Sequence, residues 1–453
     1  MLVVSGVLYL QAQRFGEVQY ELGNWPSPFG IVLVLDRLSA TMLMLSGLLG
    51  FVTSLATIDG WDHRGRHFHS LLLMLLGGIN GAFLTGDLFN LFVCFEVMLI
   101  SSYGLMVHGG GAMRLRAGIQ FVVINLGGSS LFLVALGLIY SATGGLNMFD
   151  VAEKLKEMTP GNRSIISCGM TLLLVVFALK ASLVPLHFWL PTAYGNAPPL
   201  AATVFAIATK VGLYCIIRVQ SVIVAGNEEV LSPWTTNWLL PAGMLTIVVG
   251  MIGVIASRAL GQMASYATLA SSGTIVTCMM LLNDKSFAGA MYYLVHSTLA
   301  GAAFFLVVDA IAQRRPEQRD RLQVASPIPQ AGLLGGMFLV TSVALLGLPP
   351  LSGFIGKLLV LDAARASEWN VAIWAVILST SLLGIIGFAR AGSTLFWKSS
   401  PSSLQDPGIS TPLTPLTLVS CGLLLLGIVG LTVGAGDSVQ LLNSMTDQAW
   451  KME

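Results

Sequence analysis

FALKASLVPLHFWLP, residues 177–191, decides how this chain is read. It closes an apolar run, 164–184, that is long enough to cross a bilayer yet contains Lys180. Pro185 follows five residues later, then His187 and Pro191. Proline removes a backbone donor and clashes with the preceding turn, so a helix kinks or breaks here. A lysine at the bilayer centre costs roughly 2.5–3.5 kcal/mol on insertion scales. A cation and a helix break in one membrane segment mark a polar site at mid-membrane, a site for moving an ion.

The rest of the chain is as apolar as that stretch. Of 453 residues 55% are hydrophobic and only 10% charged, against about 25% charged in soluble domains. Mean hydropathy is +0.80. Such a chain cannot cover itself with polar surface, so it reads as an all-α polytopic membrane protein embedded in the lipid bilayer. A net charge of +1 without a dense basic run excludes a nucleic-acid partner. Cys94, Cys168, Cys215, Cys278 and Cys421 lie inside apolar runs, without CxxC spacing, and read as small core hydrophobes. Gly109–Gly111 lacks the Lys-Ser/Thr of a phosphate cradle. No cofactor, metal or enzymatic nucleophile is indicated; ion and proton transfer is the chemistry that remains.

Residues 2–10 are apolar but too short to span alone, and read as a truncated or tilted first helix; 11–30, with Trp25, Pro26 and Pro28, reads as an aqueous loop. Spans are then predicted at 31–58, 70–85, 87–107, 118–140, 164–191 (broken), 199–225, 238–257, 265–282, 287–313, 333–365 (broken), 371–397 and 416–434. That gives about twelve crossings at some 20 residues each. Residues 147–158 form an amphipathic piece with Met148, Val151, Ala152 and Leu155 against Glu153, Lys154, Lys156 and Glu157, expected along the interface, as is 438–450. Arg64, Arg66, Arg114, Arg116, Arg258 and Arg314 fall among one set of alternate loops, which the positive-inside rule assigns to the cytoplasm.

The run 333–365 repeats the opening pattern in reverse order. Pro349 and Pro350 interrupt it, Ser352, Gly353 and Gly356 loosen it, and Lys357 follows the prolines where Lys180 precedes its own. Five spans separate the two broken elements, and an odd offset reverses direction across the membrane. Two such interrupted spans in matching positions point to an inverted-repeat bundle with two discontinuous transmembrane helices.

Other charges lie deep in the apolar runs. Glu96, in NLFVCFEVMLISSYG, needs a cationic partner to stay ionised in lipid, and Lys180 is the partner expected. Lys210, in PPLAATVFAIATKVGLY, and His296, in MYYLVHSTLAG, suit a proton relay. Asp36, Arg37, Arg218, Asp309, Asp362 and Arg390, toward span ends, read as interface anchors or contacts to neighbouring subunits.

LTGDLFNLFVCFEVMLISSYGL, LKASLVPLHFWLPTAYGNAPPLAA, TKVGLY, YYLVHST and GLPPLSGFIGKLLVLDAA resemble the antiporter-like membrane subunits shared by respiratory complex I and Mrp-type multisubunit cation/proton antiporters. TGDLFNLFVCFE together with PPLSGFIGK is most similar to the D-type subunits of the Mrp-type sodium/proton antiporters. The resemblance implies a multi-pass subunit of the cell (inner) membrane, partnered by other membrane subunits in a hetero-oligomer and handling protons and sodium. It implies an N-terminal piece at 1–30, an antiporter-like domain of two inverted five-helix repeats at 31–397, and a C-terminal helix and tail at 398–453. Glu96 would be the essential carboxylate, Lys180 its partner, Lys210 the bridging lysine, His296 the central histidine and Lys357 the terminal lysine. Two departures stand out. Gly301 occupies the place where many relatives carry a lysine, and the family's first helix and most of its second are expected to be missing. The alternative within the resemblance is a proton-pumping subunit of complex I or of a membrane-bound hydrogenase; a purely structural subunit would not need this series of buried charges.

Overall fold

The first long helix starts later than hydrophobicity alone predicts, and Asp36 is the reason. Its carboxylate accepts from the Ser39 backbone N–H at 2.7 Å, and the Ser39 hydroxyl accepts from the Asp36 N–H at 2.9 Å. This reciprocal cap fixes the N-terminus of helix α2, Arg37–Thr57. The apolar residues just before it form a strand instead, β2 (Val32–Leu35), antiparallel to β1 (Val18–Glu21). Residues 11–30 are therefore not a plain loop: helix α1, Leu2–Phe15, enters them and β1 follows. The hairpin also departs from an all-helical chain, and a boundary at residue 30 would cut its sheet.

The computed structural model describes residues 1–27, 29–156, 158–224, 235–315, 317–398 and 413–450; Pro28, Glu157 and Ala225 lie outside the described residues. Beyond α2 come α3 (Phe68–Leu84), α4 (Leu88–Val107), α5 (Ala112–Thr143), the short α6 (Met148–Lys156), α7 (Pro160–Lys180), α8 (Trp189–Asn196) and α9 (Pro199–Val219). The second half holds α10 (Leu240–Ala256), α11 (Leu260–Met279), α12 (Asp284–Gln313), α13 (Ala331–Leu346), α14 (Ser352–Ala364), α15 (Asn370–Gly392), α16 (Pro415–Val433) and α17 (Ala435–Trp450). Among the described residues nine helices are long and apolar enough to cross a membrane; α3 and α13 are apolar but shorter. Serine- and threonine-rich α11 is not among the nine.

Burial separates the interior from the periphery. The apolar windows of α9 and α12 are each 94% buried, against 33% for α15 and 22% for α16. The two central helices carry Lys210 and His296. Helix α12 packs on α9, α11, α14, α16 and α17, and α7 lies against α5 and α9. In α6 the apolar face predicted from sequence turns inward, burying Met148, Val151 and Leu155.

Helices α7 and α13 end in the same way. Ser182 (φ 59°) and Gly347 (φ 65°) are left-handed. Leu183 N–H reaches back to the Ala178 carbonyl and Leu348 N–H to that of Val343, at 2.9 and 3.1 Å. Ser182 and Gly347 donate to Leu179 and Ala344. Both are Schellman endings, which satisfy the last helical carbonyls without water. The chain continues Leu-Val-Pro-Leu after Ser182 and Leu-Pro-Pro-Leu after Gly347, and the peptides before Pro185 and Pro350 are cis. Pro185, Pro349 and Pro350 lie between helices. Pro191, expected to break a helix, instead sits in the first turn of α8, where a missing N–H costs nothing.

Asp36 and Arg218 are not membrane-interface anchors. Two guanidinium nitrogens of Arg218 meet the two Asp36 carboxylate oxygens, and Tyr214 Oη accepts from Arg218 Nε at 3.1 Å and Nη2 at 2.7 Å while donating to the Phe83 carbonyl. This pair ties the cap of α2 to the C-terminal end of α9. Asp309 is likewise internal, accepting from Trp61 Nε1 at 3.0 Å and Gln313 Nε2 at 2.6 Å.

These contacts set two expectations for stability. Arg218→Met should strand the Asp36 carboxylate and destabilise by about 3–5 kcal/mol, whereas the Asp36→Leu/Arg218→Met double variant should recover much of that loss. Thermal unfolding of the purified protein checks the order of the three. Gly347→Ala would force an L-residue into φ 65° with its Cβ 2.9 Å from the Gly353 carbonyl oxygen, and should cost about 1–3 kcal/mol. Gly332→Ala, with nothing within 4 Å, should be neutral or slightly stabilising in the same melt.

Candidate functional site

Each of the three deep lysines is held by neutral oxygen. Lys180, the last residue of α7 and 4% exposed, donates from Nζ to Asn125 Oδ1 on α5 at 3.0 Å. A cation at a helix C-terminus also gains from the exposed carbonyl dipoles. The expected Lys180–Glu96 ion pair does not form. Lys180 Nζ lies over the ring of Phe95, 5.6 Å from its centroid. Glu96 is the next residue of α4, and successive helical side chains diverge by about 100°, so the carboxylate points aside. Its Oε1 is buried without a hydrogen-bond partner among the described residues.

Lys210, fully buried on α9, donates to Ser271 Oγ on α11 at 2.7 Å, and that hydroxyl donates to the Thr268 carbonyl at 2.7 Å. Helix α9 approaches the end of α7 through Gly212: a Cβ there would stand 2.8 Å from the Ala181 nitrogen and 3.0 Å from the Lys180 Cβ. Lys180 and Lys210 thus sit on two helices in backbone contact. A Cβ on Gly301, in α12, would stand 3.8 Å from Thr268 Oγ1 and 3.9 Å from the Ala206 Cβ. A side chain there would point into the seam between α9 and α11 that holds the Lys210–Ser271 bond.

His296 and Lys357 are gathered on the end of α13. His296 Nε2 lies 3.0 Å from the Ala344 carbonyl, which can only accept, so this nitrogen carries a proton; Nδ1 faces Ser352 Oγ at 2.8 Å. One imidazole therefore bridges the last turn of α13 and the first residue of α14. Gly353 makes room for it, since a Cβ there would fall 2.5 Å from Nε2. Lys357 Nζ turns back to donate to the Leu346 carbonyl, the final residue of α13, and to Ser381 Oγ on α15, both at 2.7 Å. At the other break Trp189 Nε1 plays the matching part, donating to the Leu179 carbonyl at 3.0 Å.

The partners of these groups, Asn125, Trp189, Ser271, Ser352 and Ser381, do not stand out in the sequence as site residues. Asn125 carries a signal, as the one asparagine within the 32-residue apolar α5; the serines carry none, because hydroxyls commonly bond their own helix. Two cavities adjoin the first cluster. One of about 20 Å³, room for roughly one water, touches Lys180, Asn125, Ser102 and Tyr194. The other, about 700 Å³, lies among the loops with Arg64, Arg114, Arg319, Asp309 and Asp320 on its walls, and also touches Tyr194.

Comparison with known proteins agrees with this architecture. Residues 85–384 match the family model described as NADH:quinone oxidoreductase/Mrp antiporter, TM. The chain is 40% identical over 460 residues to the D component of a probable K(+)/H(+) antiporter of Rhizobium meliloti, covering 95% of this chain and 84% of that one. It is 37% identical to the D component of a Na(+)/H(+) antiporter of Alkalihalophilus pseudofirmus, over 93% and 85%. Its fold superposes on a chain of the Mrp complex of Dietzia sp. DQ12-45-1b with a TM-score of 0.86 at 25% identity, covering 99% and 90% of the two chains. Respiratory complex I from Thermus thermophilus contains a chain of the same fold, TM-score 0.82 at 22% identity, over 99% and 93%. This chain is a multi-pass membrane protein of the NADH:quinone oxidoreductase/Mrp antiporter family, to which the D-type subunits of Mrp antiporters and the antiporter-like subunits of complex I belong.

Proposed function

We propose that this chain is the proton-conducting subunit of a multisubunit monovalent cation/proton antiporter, moving protons along Glu96, Lys180, Lys210, His296 and Lys357. The observation that carries the reading is the setting of Lys180: a buried ammonium on a neutral amide, beside a carboxylate with an unused buried oxygen. Two arrangements are then close in energy. In one, Lys180 rests on Asn125 as observed; in the other it swings to Glu96. Without the carboxylate its charge is poorly compensated in a low-dielectric interior, and handing the proton toward Lys210 becomes favourable. The neutral hydroxyl and carbonyl partners of the remaining groups suit such transfer, because none locks a charge in place.

In this reading α7 with α8, and α13 with α14, are two discontinuous crossings of inverted repeats, supported by their shared Schellman endings and Leu-x-Pro-Leu continuations. The conducting domain would run over 31–397, and partner subunits would complete the complex. The central leg relies on Lys210 and His296, since Gly301 offers no side chain. Relatives named for potassium and for sodium leave the exchanged cation to be tested with both.

Glu96→Gln and Lys180→Ala, in inverted vesicles carrying the assembled complex, should each lower sodium- or potassium-dependent proton movement by roughly tenfold or more. Undiminished exchange in both variants would sink the relay. Exchange by the parent complex without any electron donor separates this function from that of a redox-driven pump.

A further inference from the structure

Among the described residues Tyr194 is the one aromatic that borders both the large loop-side cavity and the small cavity at Lys180. It is 3% exposed, and its hydroxyl donates to the Phe205 carbonyl at 2.9 Å. Its ring is wedged between Trp189 and Phe205, with centroids 5.9 and 5.3 Å away. The helix bearing it, α8, is pinned at its far end, where Arg114 Nε donates to the Asn196 carbonyl at 3.1 Å. On the loop side exposed Arg64, Gly110 and Gly111 form part of the rim, so water reaches this cavity freely. On the inner side a separate space of about 20 Å³ is lined by Lys180, Asn125 and Ser102.

We propose that Tyr194 is the gate between an arginine-rimmed aqueous vestibule and Lys180, its ring closing the route by which water and protons reach the lysine from the arginine-bearing face. The volume of the phenol ring, more than its hydroxyl, keeps the passage shut, and the bond to Phe205 holds the ring in place. When the ring swings away, vestibule water becomes continuous with the Lys180 cavity, and a proton passes from that water to the lysine amine whenever the amine has given up its own. Three arginines, Arg64, Arg114 and Arg319, stand against two aspartates, Asp309 and Asp320, on the vestibule wall, an excess of positive charge that disfavours metal cations there. The purpose of the gate rests on the proton-conducting reading; its existence does not.

The test places a thiol behind the gate. In the full complex, with the five native cysteines of this chain replaced by alanine, Ser102→Cys is treated with membrane-impermeant sulfonatoethyl methanethiosulfonate in right-side-out and in inverted vesicles. With Tyr194 present, labelling should be slow from both faces. Tyr194→Ala should accelerate it by about tenfold or more, only from the arginine-bearing face, since thiol reactivity follows access. Tyr194→Phe, which keeps the ring, should stay within about threefold of the parent. Should Tyr194→Ala fail to assemble, Tyr194→Val is read in the same way. No acceleration on truncation, acceleration from the opposite face, or a phenylalanine variant as fast as alanine would each overturn the gate. Labelling needs no transport. Intact exchange in the Lys180→Ala variant alongside the expected labelling would therefore remove the proton-conducting reading and leave the gate standing.

Discussion

A helix that ends inside a packed bundle leaves carbonyls with no water to accept from, and the rest of this structure follows from how that demand is met. Helices α7 and α13 both stop in the bundle. Each closes its last turn with a left-handed residue and a Schellman pair of backbone bonds. Each then receives one more donor from beyond the break: the Trp189 indole on Leu179, the Lys357 ammonium on Leu346. In hydrocarbon an unsatisfied backbone group costs several kcal/mol; Lys357 meets that demand at Leu346, and Trp189 adds a second bond to a Leu179 carbonyl already taken by the Ser182 N–H.

The same demand draws ionisable groups inward. Lys357 caps a helix end and is thereby fixed deep in the bundle; His296 reaches the same turn through Ala344 and spans to Ser352. Glycine at 353 and 347 lets those side chains approach closer than any Cβ would permit. At the other break Lys180 terminates α7 and rests on Asn125. In the proposed relay Lys357 is cap and proton carrier at once, since the ammonium that satisfies the Leu346 carbonyl is the group that would give up the proton.

Interior polarity is concentrated where burial is highest. The central helices α9 and α12 carry Lys210 and His296, while peripheral α15 and α16 turn most of their apolar surface outward. The strong ion pair of Arg218 with Asp36 lies apart from this series and serves packing: it is a bidentate, fully bonded pair, unlike the lysines on their neutral partners. The difference in bonding separates a locked charge from the charges that the proposed relay would pass on.

Membrane class, family and the approximate extent of most helices could be read from the chain alone, because hydrophobic run length is a local property and the motifs around Glu96, Lys180, His296 and Lys357 are contiguous. The ends of α7 and α13 were also legible, since proline acts on its own turn. Three features were not. Strand β2, VLVL, is as apolar as the helix that follows it, and only the Asp36 cap and its pairing with β1 tell the two apart. Pro191 looks like a breaker in sequence but falls within a first turn, a matter of where α8 begins. The choice of Asn125 over Glu96 as the partner of Lys180 depends on how α4 and α5 are rotated against α7. A sequence lists which groups are present; helix rotation and close glycine contacts, summed over the whole bundle, decide which of them touch.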